Sequence, residues 1–192
     1  MRGVISGRDV VPQERGMSNR IVPIAVGLFT VACLTTAPVA LAADLTLEGF
    51  AGWQHLQALP STLARPVNGK ATVGGDILEK FSLFGLGLSL DKTVSDSARP
   101  WAGSVMLGLL FDLLPNLRLE ALGEVGRYGS SFGAMFGSNG QTFLGFRPTV
   151  SFRLFPTPVR FGVATLIRWP TSGSNLGSPN YGFVGKVGIE LP

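Results

Sequence analysis

The sequence predicts an all-β fold, an eight-stranded antiparallel up-and-down transmembrane β-barrel that follows a cleaved signal peptide. Three observations carry this. The 192 residues are 45% hydrophobic with a mean hydropathy of +0.33, yet no run of about 18 uncharged apolar residues occurs past residue 43, so no helix there could cross a bilayer. The 26 glycines and 13 prolines work against long helices. Apolar residues instead recur at every second position in about eight segments, most near the ~9–11 residues that a tilted membrane strand needs.

The first element is the leader. Arg15 and Arg20 precede the apolar stretch IVPIAVGLFTVACL, and the small-x-small triplet Ala40, Leu41, Ala42 follows. A basic segment, a short apolar segment and such a triplet make a secretory signal peptide. The domains are therefore 1–42, removed after Ala42, and a barrel domain 43–192, with Met17 an alternative start of translation. Cys33, the single cysteine, falls in the leader, so the mature chain is expected to lack disulfides and Cys metal sites. Lipid attachment at Cys33 is disfavoured because Thr30 stands where a lipobox prefers Leu. Removing four arginines (Arg2, Arg8, Arg15, Arg20) and two acids (Asp9, Glu14) takes the net charge from +4 to +2. Nothing basic clusters in what remains, which argues against nucleic acid as a partner.

The strands follow in order. DLTLEGFAGWQ (Asp44–Gln54) sets Leu45, Leu47, Ala51 and Trp53 against Thr46, Glu48, Phe50 and Gln54. ATVGGDILEKF (Ala71–Phe81) is the least regular. GLGLSLDKTVS (Gly85–Ser95) sets three leucines against Ser89 and Asp91. WAGSVMLGLLFDLL (Trp101–Leu114) sets Val105, Leu107, Leu109 and Phe111 against Ser104, Gly108 and Asp112. LRLEALGEVGRYGS (Leu117–Ser130) sets Leu117, Leu119, Ala121 and Val125 against Arg118, Glu120, Leu122 and Glu124. TFLGFRPTVSFRLF (Thr142–Phe155) sets Phe146, Val150, Phe152 and Leu154 against Arg147, Thr149, Ser151 and Arg153. VRFGVATLIRW (Val159–Trp169) sets five apolar residues against Arg160 and Arg168. YGFVGKVGIELP (Tyr181–Pro192) sets Tyr181, Phe183, Val187, Ile189 and Leu191 against Lys186 and Glu190. Connectors alternate between long and short. A barrel shows this when one rim carries loops and the other turns, and both ends of the barrel domain then lie on the turn rim.

Which face meets water separates two architectures. A lipocalin-like barrel in the periplasm would hold its apolar face inside, around a lipophilic ligand; a membrane barrel turns that face to lipid. The apolar face is unbroken and large-featured, more bulk than an eight-stranded interior can hold. The polar face alternates charges with Gly87, Gly108, Gly126, Gly162 and Gly188, as a crowded lumen needs. Trp53, Trp101, Trp169 and Tyr181 stand near segment ends, where interfacial girdles form.

This pattern of signal, eight alternating strands, short turns and long loops resembles the small eight-stranded outer-membrane barrel family of the outer-membrane-protein A/X type. The resemblance implies a Gram-negative cell envelope, outer-membrane lipids as surroundings and insertion by the barrel-assembly machinery. Family members commonly end in an aromatic residue. This sequence closes on GIELP, which leaves either the alternating face ending at Leu191 as the insertion signal or a different insertion route.

Three groups of residues are candidates for function. Glu48, Asp91, Arg118, Glu120, Glu124, Arg147, Arg153, Arg160, Arg168, Lys186 and Glu190 share the polar face. They are expected to form a lumen salt-bridge network, with Arg147–Glu120 the favoured pair; the alternative is a narrow anion-preferring pore. The loop SFGAMFGSNGQ is expected to expose Phe132, Met135 and Phe136, as a binding surface or as a merely mobile loop. His55, the only histidine, with Ser61 and Asp76 as conceivable partners, would serve a lipid A-modifying enzyme, but no nucleophile motif accompanies it. The expected role is structural or surface-interacting, without enzymatic activity, metal or cofactor. Mass spectrometry of the exported protein should find Ala43, to within about a residue, at its N-terminus.

Overall fold

A computed structural model describes residues 44–57, 67–94, 100–138, 140–172 and 175–191. The leader, Cys33 and Ser61 lie outside the described residues. Among the described residues are nine strands and one short helix: β1 (Asp44–Leu56), β2 (Val67–Phe81), β3 (Phe84–Val94), β4 (Trp101–Leu114), β5 (Leu117–Gly129), α1 (Phe132–Phe136), β6 (Gln141–Arg153), β7 (Val159–Ser172), the two-residue β8 (Asn175–Leu176) and β9 (Asn180–Leu191). Eight long strands pair antiparallel in sequence order, and β9 pairs with both β7 and β1, which closes the barrel. β8 only extends β7 at the loop rim. Closure leaves no free sheet edge.

The rims are as the connector lengths imply. Two-residue turns follow β2 and β4, whereas longer connectors follow β1, β3, β5 and β7. Asp44 faces Lys80 and Leu45 faces Leu191, so the barrel starts and ends on the turn rim. β2 begins four residues before the expected Ala71. Its extension carries a register shift opposite Gln54/Leu56 and a left-handed Gly69 (φ 56°), and such a bulge erases the two-residue period. β6 stops at Arg153, not Phe155. Prolines at 156 and 158 cannot donate to a ladder, and Leu154 is instead bonded to Val159 and Thr157 across the turn.

Side chains at every second position point inward. On β5 these are Arg118, Glu120, Leu122, Glu124, Gly126 and Tyr128; on β9 they are Asn180, Gly182, Val184, Lys186, Gly188 and Glu190. The other face is exposed and apolar around the whole circumference: Leu47, Ile77, Leu88, Leu107, Val125, Val150, Val163 and Phe183 all belong to it. Nine residues at ~3.4 Å rise and ~40° tilt give roughly 23 Å of height, close to the ~25 Å apolar band of an outer-membrane barrel.

Glycine on the inner face permits close approach. A Cβ on Gly126 would lie 2.7 Å from Ser104 Cβ and press on Phe143; one on Gly188 would lie 2.6 Å from Glu48 Cγ. On the outer face, a Cβ on Gly49 would meet nothing closer than 4.0 Å. Gly126→Val should therefore cost about 1–3 kcal/mol through overpacking, measured by unfolding in detergent. Gly49→Ala should leave the same transition in place. Equal sensitivity at the two sites would contradict the inward and outward assignment.

Candidate functional site

The inner wall carries two ionic clusters stacked along the barrel axis. At the turn rim, Arg118 of β5 pairs with Asp112 (Nε–Oδ1 2.7 Å) and with Glu190 of β9. Lys80 of β2 also reaches Asp112. Arg160 of β7 holds the second oxygen of Glu190 at 2.8 Å, and Arg153 stands 3.6 Å from it at the half-open edge.

The central cluster is drier. Arg147 and Arg168 are both fully buried, at 0% exposure. Arg147 Nη1 donates to both oxygens of Asp76 (2.9 and 2.8 Å), and Nη2 donates to Ser89 Oγ (2.9 Å) and pairs with Glu124. Arg168 takes the other oxygen of Glu124 through Nε (2.8 Å) and reaches Asp91 through Nη2 (2.7 Å). Lys186 pairs with Glu48 and lies 3.2 Å from Asp76. Phe50 stacks under the Arg147 guanidinium (5.4 Å to the ring centre) and Phe143 under that of Arg168 (4.9 Å), so the planar cations are also held by ring faces.

Ser151 links the two clusters, because its hydroxyl accepts from Arg160 (3.3 Å) and donates to Glu120 (3.4 Å). Buried apolar residues line other parts of the lumen, beside Thr46, Thr72, Ser104 and Thr149. Leu78, Met106, Leu110 and Leu122 form one group, and Phe50, Ala164, Leu166 and Val184 another. At the loop end, Leu56, Ala102, Tyr128 and Phe143 cluster above the charges. There Thr93 donates to Gln54 (2.9 Å) and Asn180 to Tyr128 (3.4 Å).

All eleven polar-face candidates stand on the inner wall or at its turn rim. The favoured pair does not form. Arg147 is held by Asp76 and Glu124, while Glu120 turns to Ser151 and lies 4.0 Å from Lys186. The register explains this: Arg147 sits opposite Leu122, so Glu120 and Glu124 flank it one step to either side, and Asp76 reaches it from across the lumen. Asp76, Lys80 and Asp112 complete the clusters; the sequence places Asp112 on the polar face without a partner, offers Asp76 only as a partner of His55, and does not single out Lys80. Asp76 is obscured by the preceding Gly74-Gly75 and the inward Leu78, which blur the alternation of β2.

His55 is not in this lumen. It lies on the outer face at the loop rim, opposite Tyr181, with ring centres 4.9 Å apart. Asp76 points to the axis between Arg147 and Lys186, so the two do not meet. Trp53, Trp101, Trp169 and Tyr181 all lie towards the loop end. They form one girdle, not two; the exposed aromatics towards the turn end are phenylalanines, Phe84, Phe152, Phe155 and Phe161 among them. In the loop after β5, Phe132 and Phe136 are 50% and 69% exposed, but Met135 is buried. Its side chain lies over Gly103 and its backbone over Gly129, two outward positions without side chains.

No protein-family profile and no curated protein matches this sequence. Solved structures do resemble the fold. The neisserial surface protein A (NspA) superposes with a TM-score of 0.53 at 10% identity, over 78% of this chain and 97% of that one. Ail, the attachment invasion locus protein of Yersinia pestis, gives 0.45 at 16% identity, over 78% and 98%. The fold is that of the small eight-stranded outer-membrane barrels.

Glu124 serves two buried arginines at once. Glu124→Ala should cost about 3–5 kcal/mol, the usual penalty for stranding a buried charge, in urea unfolding from detergent micelles. Glu120→Ala, which removes a long hydroxyl contact from Ser151 and the 4.0 Å approach to Lys186, should cost less, about 1 kcal/mol. The reverse order would mean that the central cluster is wired differently.

Proposed function

We propose that this chain is an outer-membrane protein of a Gram-negative envelope. In this reading it is inserted by the barrel-assembly machinery and acts as a structural or surface-interaction element whose lumen is plugged by its ionic clusters. The observation that carries the proposal is the inverted distribution of side chains. Arg147 and Arg168 are 0% exposed, whereas Phe183 and Val163 are more than 60% exposed. In water that arrangement would leave a continuous apolar belt far larger than the few hundred Å² that monomeric soluble proteins show. In a bilayer it places hydrocarbon against hydrocarbon and keeps ions off the lipid. The export signal read from the leader supports delivery to the envelope, and the shared fold is consistent with it.

A plugged lumen fits better than a pore. Conduction needs groups that bind an ion and release it, and here the arginines that would attract anions are already held by carboxylates, beneath the apolar group of Leu56, Ala102, Tyr128 and Phe143. The protein should fractionate with outer membranes, and protease added to whole cells should cut only in the long connectors. Detergent-folded protein should migrate faster unboiled than boiled and remain silent in planar bilayers. A monodisperse fold in buffer without amphiphile would refute the membrane reading; steady conductance would refute the plug alone.

A further inference from the structure

The segment after β5 folds back over the outside of the barrel. Gly103 and Gly129 both belong to the outward face, since their neighbours Ala102 and Tyr128 point into the lumen. A Cβ on Gly129 would fall against the backbone of Met135 and one on Gly103 against its Sδ (2.9 Å). The side chain of outward-facing Leu90 also borders that Gly103 position, at 3.8 Å. Helix α1 therefore lies on the lipid-facing side of β4 and β5, with Met135 as its peg.

Two further features fix it there. Ser131 caps the first turn, its hydroxyl accepting from the Ala134 N–H (3.1 Å). Arg127, itself outward-facing, donates to the Gly137 and Gly140 carbonyls (2.9 Å each), which ties down the return of the chain.

The surface presented is aromatic and uncharged. Residues 130–142 contain no Asp, Glu, Lys or Arg. Phe136 packs on Phe132 (5.3 Å) and Phe132 edge-on to Trp101 (5.8 Å), and Lys92 lies 4.8 Å over the Trp101 ring. This patch joins the outer apolar face through Trp101 and Leu90, at the level of the girdle where Trp53, Trp169 and Tyr181 also stand. Arg127 is occupied by carbonyls, which leaves Lys92 as the cation beside the aromatics.

We infer that α1 is a membrane-interface anchor. Phe132 and Phe136 enter the outer-leaflet acyl region beside Trp101, and Lys92 meets a lipid phosphate at headgroup depth. Aromatic rings with a neighbouring cation are the side-chain set that this interface favours. The occupant is a lipid surface, and the inference rests on the membrane reading above.

The test uses the chain carrying Cys33→Ser, which has no other thiol, with a nitroxide attached at Phe136→Cys or, separately, at Val150→Cys on the mid-belt. Both proteins are reconstituted into vesicles of phosphatidylcholine and phosphatidylglycerol. Collision of the label with oxygen, which partitions into lipid, is compared with collision with a water-soluble nickel chelate. The expected result is that oxygen collisions exceed nickel collisions several-fold at both sites, by less at Phe136 because it is shallower. Oxygen dominance at Val150 with nickel dominance at Phe136 would overturn the anchor and leave the barrel in the membrane. Nickel dominance at Val150 would overturn the membrane reading and the anchor with it.

Discussion

The rest of the structure depends on one constraint: neighbouring residues of a strand point to opposite sides, and only one of those sides can be lipid. Charges at mid-height on a spanning strand are therefore driven to the axis of a narrow barrel, where each must find a counter-charge within a few ångströms or carry a large desolvation cost; the outward Lys92 and Arg127 stand towards the loop rim. Seven carboxylates (Glu48, Asp76, Asp91, Asp112, Glu120, Glu124, Glu190) and seven cations (Lys80, Arg118, Arg147, Arg153, Arg160, Arg168, Lys186) make up the two clusters. Arginine predominates among the cations. Its fork can serve two carboxylates at once, as Arg147 does with Asp76 and Glu124 and Arg168 with Glu124 and Asp91.

Such a network is poor evidence for net stability, since well-packed hydrocarbon often does as well as a buried ion pair. Its value here is discrimination. A barrel apolar on both faces could slip any strand by one residue at little cost. With charges inside, a one-residue slip turns every ion of that strand toward lipid. The glycines add a steric version of the same constraint. Gly126 and Gly188 fit only where Ser104 and Glu48 pass close to them, so a shifted register meets both a charge penalty and a clash.

The same physics explains what could be read from sequence. Strand number, the rim of each connector and the facing of the eleven charged residues were legible because alternation is local. Pairing was not. Which acid meets Arg147 depends on the circumference of the closed barrel, and Asp76, two glycines into an irregular segment, gave no sign of its central place. The apolar part of the lumen was only partly legible. Phe50 and Leu122 could be assigned by parity, but Leu78, Met106, Leu110 and Leu166 read as equally suited to lipid, because a side chain without charge is tolerated on either face. Helix α1 was invisible. Five uncharged residues among glycines carry no helical period, and what fixes the helix is Met135 against two glycines that belong to other strands.

The distribution of charge along the axis bears on how the barrel forms. The central cluster has five carboxylates against three cations, and the turn-rim cluster has four cations against two carboxylates. Neither is neutral alone; together they are. Asp112–Arg118 lies within the β4–β5 hairpin, and Glu124–Arg147 and Arg160–Glu190 join long strands that follow one another, but the other pairs span more distant strands. Asp76 and Arg147 are 71 residues apart, and Arg118 and Glu190 are 72 apart. A hairpin entering the bilayer by itself would thus carry uncompensated charge, whereas the closed barrel carries none in these clusters. Closure is therefore favoured by electrostatics as well as by the unpaired backbone of an open edge. The pairing of β9 with β1 and β7 brings Lys186 to Glu48 and Glu190 to Arg118 and Arg160, so the contacts that close the sheet also complete the neutralisation of the two clusters.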